Sequence, residues 1–208
     1  MAEPRHDQDR RLCVFARSPE LGRVKRRLAA ELGDERALAA HVQLVEETLA
    51  RCSGRPGWQT ELWIADGDAD HPQVRAWCRR FGARYVSQVG GDLGARMWHA
   101  LESSLAAGTI PVLIGCDCPD IDAGYLDEAF AALAEADVVL GPARDGGYGL
   151  VGLRVAAPGL FEGVSWGSAD VLDETLCRAR HNGLSVRLLA PISDVDTALD
   201  WDRYTARD

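Results

Sequence analysis

The chain has 208 residues, 47% hydrophobic and 26% charged, enough for one well-packed soluble domain and short for two. Its net charge of −9 argues against a broad nucleic-acid-binding face, which needs clustered Lys and Arg, and no apolar run approaches the ~20 residues of a membrane span. The cysteines are scattered without a C-x-x-C pair and the start of the chain is polar, which points to buried thiols in a cytoplasmic protein.

Residues 1–10 read as a flexible N-terminal tail, and residues 11–208 as a single domain. Leu12-Cys13-Val14-Phe15-Ala16 is a compact apolar strand that empties into a loop carrying Arg17, Pro19, Gly22, Arg23 and Lys25, and then into a helix. That layout suits phosphate binding: Gly22 permits close approach of backbone to ligand, and the cations supply countercharge. Neither the Walker spacing nor G-x-G-x-x-G is present. Cations at a helix start oppose the macrodipole, a local misfit that a bound anion would relieve.

A second helix starts at Gly33-Asp34-Glu35, with Leu38, Val42, Val45 and Leu49 on its apolar stripe and His41 beside it as a packed or capping residue. Residues 60–65 form the second strand, followed by an acidic turn with Asp66, Asp68 and Asp70. This turn lacks the Gly and closing Glu of a calcium loop. A helix over 72–80 and a strand over 83–86 lead to a loop with Gln88, Gly90, Gly91, Asp92, Gly94 and Arg96, before a helix from Met97 to Ala106. Three glycines beside Gln, Asp and Arg can lie flat against a ring and read a nucleobase edge; a tight turn with Asp92 as helix cap would use the same residues.

Val112-Leu113-Ile114-Gly115-Cys116-Asp117-Cys118-Pro119 is a buried strand that delivers Asp117 to its C-terminal end. In an open α/β sheet that end borders the ligand crevice. A carboxylate there calls for a metal ion or a cationic partner, unless Asp117 simply caps the next turn. Cys116 and Cys118 read as packing residues rather than soft-metal ligands. A helix over 122–135 and a strand over 137–142 precede the turn Asp145-Gly146-Gly147-Tyr148, which offers Asp145 and Tyr148 at its rim and enters a further strand. A helix over 169–181 and a strand over 184–189 follow. Asp194 and Asp196 then fall at alternate positions, on one face of an extended segment, and Thr197 with Asp200 makes an acidic capping box for a last helix.

Taken together, Phe15-Ala16-Arg17-x-Pro19-x-x-Gly22-Arg23-Val24-Lys25-x-Arg27-Leu28, Gly91-Asp92-Leu93-Gly94-x-Arg96-Met97, Gly115-x-Asp117-Cys118-Pro119, Gly141-Pro142-Ala143-x-Asp145-Gly146-Gly147-Tyr148 and Asp194-Val195-Asp196-Thr197 resemble the nucleotide-diphospho-sugar transferase superfamily. Within it they are similar to a bacterial family of small glycosyltransferases, related to 2-phospho-L-lactate guanylyltransferase and more distantly to the molybdenum-cofactor guanylyltransferase. The resemblance implies a three-layer α/β/α Rossmann-like fold with a mixed, mostly parallel sheet. It implies nucleotide binding by Arg17, Gly22, Arg23, Lys25, Gln88, Asp92, Gly94 and Arg96, and a Mg²⁺ or Mn²⁺ ion on Asp117 with Asp196 or Asp194. It also implies an acceptor subsite at Asp145, Gly146, Gly147 and Tyr148.

Lys25, Asp117 and Asp145 are the catalytic candidates. The expected activity is transfer of an NMP from a nucleoside triphosphate to a small phosphorylated acceptor with release of pyrophosphate. Glycosyl transfer from an NDP-sugar and a non-catalytic nucleotide-binding module are the alternatives. The expected partners are these small molecules, with no nucleic acid and no membrane, and a homodimer is an open assembly state. The chain departs from the pattern at two places: Arg26 stands where Thr is expected, and Gly149 where a second aromatic often follows Tyr148.

Overall fold

The computed structural model describes residues 10–65 and 70–206. The tail expected over 1–10 therefore lies outside the described residues up to residue 9, as does most of the acidic turn at 66–69, whereas Arg10 already belongs to the first strand. Strands β1 (Arg10–Arg17), β2 (Gln59–Ala65), β3 (Arg84–Ser87), β4 (Ile110–Gly115), β5 (Val138–Pro142), β6 (Tyr148–Leu153) and β7 (Val186–Leu188) form one sheet in the order β3-β2-β1-β4-β6-β5-β7. Every pairing is parallel except those of β6, which runs against both β4 and β5. The helices are α1 (Arg26–Leu32), α2 (Asp34–Cys52), α3 (Pro72–Phe81), α4 (Leu93–Ala106), α5 (Ala123–Ala132), α6 (Val171–His181) and α7 (Ala198–Thr205).

The inner stretches of the central strands are mostly apolar because both faces of the sheet are covered, and the buried charged exception, Glu61 of β2, is paired with Arg11 at 2.8 Å. Along β1, Leu12, Val14 and Ala16 enter a core shared with α2, α3 and α5, while Cys13 and Phe15 enter a second core shared with α4 and α6. This alternation makes the three layers. Among the described residues no helix is long and apolar enough to cross a membrane.

Capping sets several helix starts. Asp92 accepts from Ala95 N at 2.8 Å, so α4 begins at Leu93, four residues before the expected Met97. Asp122 does the same for α5 through Tyr125 N at 2.8 Å, and Thr197 with Asp200 forms the expected capping box of α7. Strand β1 feeds β2 on one side and lies against β4 on the other. The carboxyl ends of β1 and β4 therefore flank the topological switch point, where a crevice opens.

Candidate active site

Asp117 stands two residues beyond β4, and Gly115 makes room for it: a Cβ at Gly115 would lie 2.6 Å from Asp117 Oδ1. The same loop holds the segment before α7. Val195 N donates to Asp117 O at 2.9 Å, and Ser193 N donates to Asp120 Oδ2 at 2.8 Å. On the other side Ile192 N donates to Pro142 O at 2.8 Å and Arg144 N donates to Ile192 O at 3.1 Å. Residues 192–196 are thereby laid across the ends of β4 and β5. Gly149 completes the fit, since a Cβ there would meet Cys118 Sγ at 2.4 Å and Ile192 Cδ1 at 2.8 Å. This close approach leaves no room for an aromatic side chain at 149.

Lys25 reaches into the junction. Its Nζ donates to Val195 O at 2.7 Å and to Asp117 Oδ2 at 3.2 Å, and only 7% of the side chain is exposed. Burial works against the charged ammonium, but the negative charge of Asp117 and then of its neighbours outweighs it, so Lys25 titrates above its ordinary range. Reciprocally, Lys25 holds the Asp117 carboxyl below the usual carboxylate range against the effect of burial. The Asp117 side chain remains 42% exposed through the cleft, so this pair is wet on one side. Lys25 is also the one non-glycine residue with positive φ among those described, at φ 44° and ψ 51° immediately before α1. That left-handed conformation costs about 1–2 kcal/mol, and the two Nζ bonds hold it. Beside it Arg27 pairs with Asp196 at 2.9 Å.

These groups border a cleft of about 810 Å³ at the switch point. Arg17, Arg23, Lys25, Arg26, Arg27 and Arg96 line it, against three carboxylates, Asp92, Asp117 and Asp196. The lining thus carries a local excess of cations in a chain of net charge −9, the electrostatic character that an anionic ligand would need. Arg23 spends its guanidinium on Glu20 at 3.2 Å, whereas the Arg26 side chain has no hydrogen bond or ion pair with any described residue. Sequence reasoning gave Arg26 no role beyond its departure from Thr; its place beside Lys25 was the available signal. His41, from α2, was read as a packing residue and does pack, but its ring also lines the cleft, with Nε2 3.0 Å from Arg17 O. Burial and then the charge of Lys25 push its pKa down, so the ring is neutral at pH 7 and donates through Nε2. Gln88, Gly91 and Asp92 also line the cleft, on the side of β2 and β3.

Several predicted residues lie off the cleft. Gly22, at φ 75°, turns the loop behind it. A Cβ at Gly94 would meet Phe161 O at 2.7 Å and the Trp166 ring at 2.8 Å, so its bareness serves helix packing. Gly146, at φ 93°, closes on the Ala169 backbone, and Leu172 N donates to its carbonyl at 2.9 Å. Asp145 is exposed and accepts from Gly147 N at 3.0 Å. Asp194 is half-buried beside it. Burial, then the charge of Asp145 and those of Asp117 and Asp196, raise the Asp194 pKa. Tyr148 does line the cleft, its ring edge-on to Trp166 at 6.3 Å, but its hydroxyl is buried next to Thr175. The thiols flanking Asp117 are inert: burial pushes Cys116 up to about 12 and Cys118 well above its ordinary value.

Among the described residues no group of three or more His, Cys, Asp or Glu side chains is arranged to hold a metal ion. Magnesium is commonly held by one or two carboxylates, with waters and substrate phosphates completing its shell. Asp117 and Asp196, on one cleft with a cationic mouth, fit that donor set.

The family described as "Uncharacterized protein conserved in bacteria (DUF2064)" matches residues 48–168, over half of the chain. The chain belongs to this family. As a DUF2064 protein it is similar to a crystal structure from Desulfovibrio desulfuricans G20 described as a "putative nucleotide-diphospho-sugar transferase". The two are 32% identical over 95% of this chain and 86% of the other, with a TM-score of 0.86. The DUF2064 chain shares its fold with the inositol-1-phosphate CTP transferase from T. maritima (14% identity, 91% and 90% of the chains, TM-score 0.53). It also shares it with Rv0371c from Mycobacterium tuberculosis H37Rv in complex with manganese (21% identity, 94% and 97%, TM-score 0.51). No curated protein matches the sequence. The nucleotide-diphospho-sugar transferase fold expected from the motifs is thus the fold of this DUF2064 protein.

Proposed function

We propose that this protein is a metal-dependent nucleotidyltransferase that joins an NMP from a nucleoside triphosphate to a small phosphorylated acceptor. An oxygen of the acceptor phosphate attacks the α-phosphorus, the bond from that phosphorus to the bridging oxygen breaks, and pyrophosphate leaves with the electron pair. The observation that carries this reading is the concentration of Arg17, Arg23, Lys25, Arg26 and Arg27 in the lining of the cleft that holds Asp117. A triphosphate with a pyrophosphate leaving group needs that countercharge, and a nucleoside alone does not.

In this reading Lys25 and Arg23 hold the β- and γ-phosphates and neutralise the departing pyrophosphate, and Arg17 holds the phosphate nearest the sugar. Gln88 and Asp92 hold base and ribose. Asp117 and Asp196 would hold Mg²⁺ or Mn²⁺, which when bound polarises phosphate oxygens. The Lys25–Asp117 pair holds the Asp117 carboxyl below its ordinary range, and the pairs Lys25–Asp117 and Arg27–Asp196 keep both side chains in place before substrate arrives. Transfer of a sugar from an NDP-sugar is the second reading, favoured by the description of the Desulfovibrio relative. It would place the metal on the diphosphate and use Asp145 or Asp194 toward the acceptor.

Titration calorimetry with the four NTPs and common NDP-sugars, each with and without Mg²⁺, separates the two readings. Pyrophosphate detection across a panel of phosphorylated small molecules then finds the acceptor. Nucleotidyl transfer requires tighter binding of an NTP than of any NDP-sugar and release of pyrophosphate. Release of a nucleoside diphosphate instead would refute it.

A further inference from the structure

The β2–β3 side of the cleft carries a polarity that residue identity alone does not disclose. Gln88 follows β3, and its side chain spans the ends of the neighbouring strands: Nε2 donates to Trp63 O at 2.9 Å and to Ala16 O at 3.4 Å. Both partners are backbone carbonyls, so the amide orientation is fixed. The flipped amide would set oxygen against oxygen at both contacts. Backbone Gln88 N donates to Ile64 O at 3.0 Å, which anchors the residue from behind. Once Nε2 is committed, Oε1 is the remaining polar atom of a side chain that lines the cleft, and it has no partner among the described residues. Asp92, next along the wall, has one carboxylate oxygen on Ala95 N. Its chemistry toward a ligand is likewise that of an acceptor.

We infer that Gln88 is a specificity-determining residue, whose Oε1 accepts a hydrogen bond from the exocyclic amino group of the substrate's nucleobase. The inference rests on the nucleotide reading given above and sharpens it to a substrate class. Cytosine, adenine and guanine each carry an amino group, and uracil presents a carbonyl oxygen where cytosine has its amine. A carbonyl facing Oε1 would bring two acceptors together and leave both unpaired, and such a mismatch at a desolvated contact is disfavoured more than a simple missing bond. The base is therefore selected by a side chain whose donor end the strand termini have already taken.

Calorimetric titration of the wild-type protein with CTP, GTP, ATP, UTP and ITP, in the presence of Mg²⁺, tests this directly, with inorganic pyrophosphate as a probe of the phosphate end alone. The expected result is that the tightest NTP bears an amino group and binds at least about tenfold more tightly than the counterpart lacking that group, UTP for CTP and ITP for ATP or GTP. Gln88→Leu should collapse that ratio to within about twofold while pyrophosphate still binds; if the variant does not fold, the wild-type comparison decides by itself. Equal affinity for the members of the pair with and without the amino group, or UTP as the preferred nucleotide, overturns the assignment of Gln88 and leaves the nucleotide reading standing. If neither nucleotides nor pyrophosphate bind, the nucleotide reading fails and this inference falls with it.

Discussion

Removing the partner of a buried ammonium is the sharpest perturbation available. In Asp117→Asn, Lys25 keeps Val195 O at 2.7 Å but loses its countercharge, while only 7% of its side chain meets water. Breaking one member of a fully buried ion pair costs about 3–5 kcal/mol. The Asp117 side chain is 42% exposed and Asn retains an acceptor, so solvent screening reduces the loss to about 1–2 kcal/mol. For a chain of this size that corresponds to a drop in Tm of about 2–8 °C. Lys25→Met should cost less, because the carboxylate it leaves behind can be hydrated from the cleft. The double variant should be less destabilised than the sum of the two by about 1 kcal/mol. Thermal and urea melts of the four proteins give this cycle. Both groups are charged between the ordinary values of 3.8 for Asp and 10.5 for Lys, with Asp117 shifted down and Lys25 up, so the coupling should be flat across that range. It should fade below about pH 4, as Asp117 takes a proton, and in strong base as Lys25 loses one. Additive losses, or Lys25→Met as the more costly single change, would refute the account of this pair.

Gly149→Ala should destabilise by about 1–3 kcal/mol, visible in a thermal melt, because its Cβ collides with Cys118 Sγ and Ile192 Cδ1. Buried, neutral His41 has a lowered pKa, so the unfolded chain takes its proton first; stability should fall as pH drops below the ordinary value of 6.5, and His41→Asn should flatten that slope in urea melts. Lys25→Ala should weaken triphosphate binding by about tenfold to a hundredfold while leaving nucleoside binding unchanged, measured by calorimetry. Asp117→Ala should abolish metal-dependent turnover with the far-UV spectrum retained, and wild-type activity in that variant would exclude the metal role.

The strand that ends in Asp117 was legible because a short apolar run closing on a carboxylate and a proline has few other uses. The capping box at Thr197 and Asp200 was legible from chemistry local to four residues. The glycines were harder. A glycine reports that something comes close, and sequence does not say what. At 146 the neighbour is the Ala169 backbone, at 94 it is Trp166 and Phe161, and at 152 it is Leu133 and Val112, all of them protein rather than ligand. Long-range pairing was equally hidden. Nothing local joins Lys25 to Val195, His41 to Arg17 O, or the amide of Gln88 to the ends of β1 and β2. The left-handed backbone of Lys25 runs against its residue type and follows from where its ammonium is held.

The bond from Val195 N to Asp117 O ties the last stretch of chain to its central strand. During synthesis the sheet and most helices can form before residues 192–206 have left the ribosome, but Lys25 then lacks the carbonyl that fixes it and Asp117 lacks the neighbour that walls it. Lys25 and Asp117 therefore reach their final arrangement only once residues 192–196 have docked across the ends of β4 and β5, so the scaffold can form early and the arrangement it carries forms late.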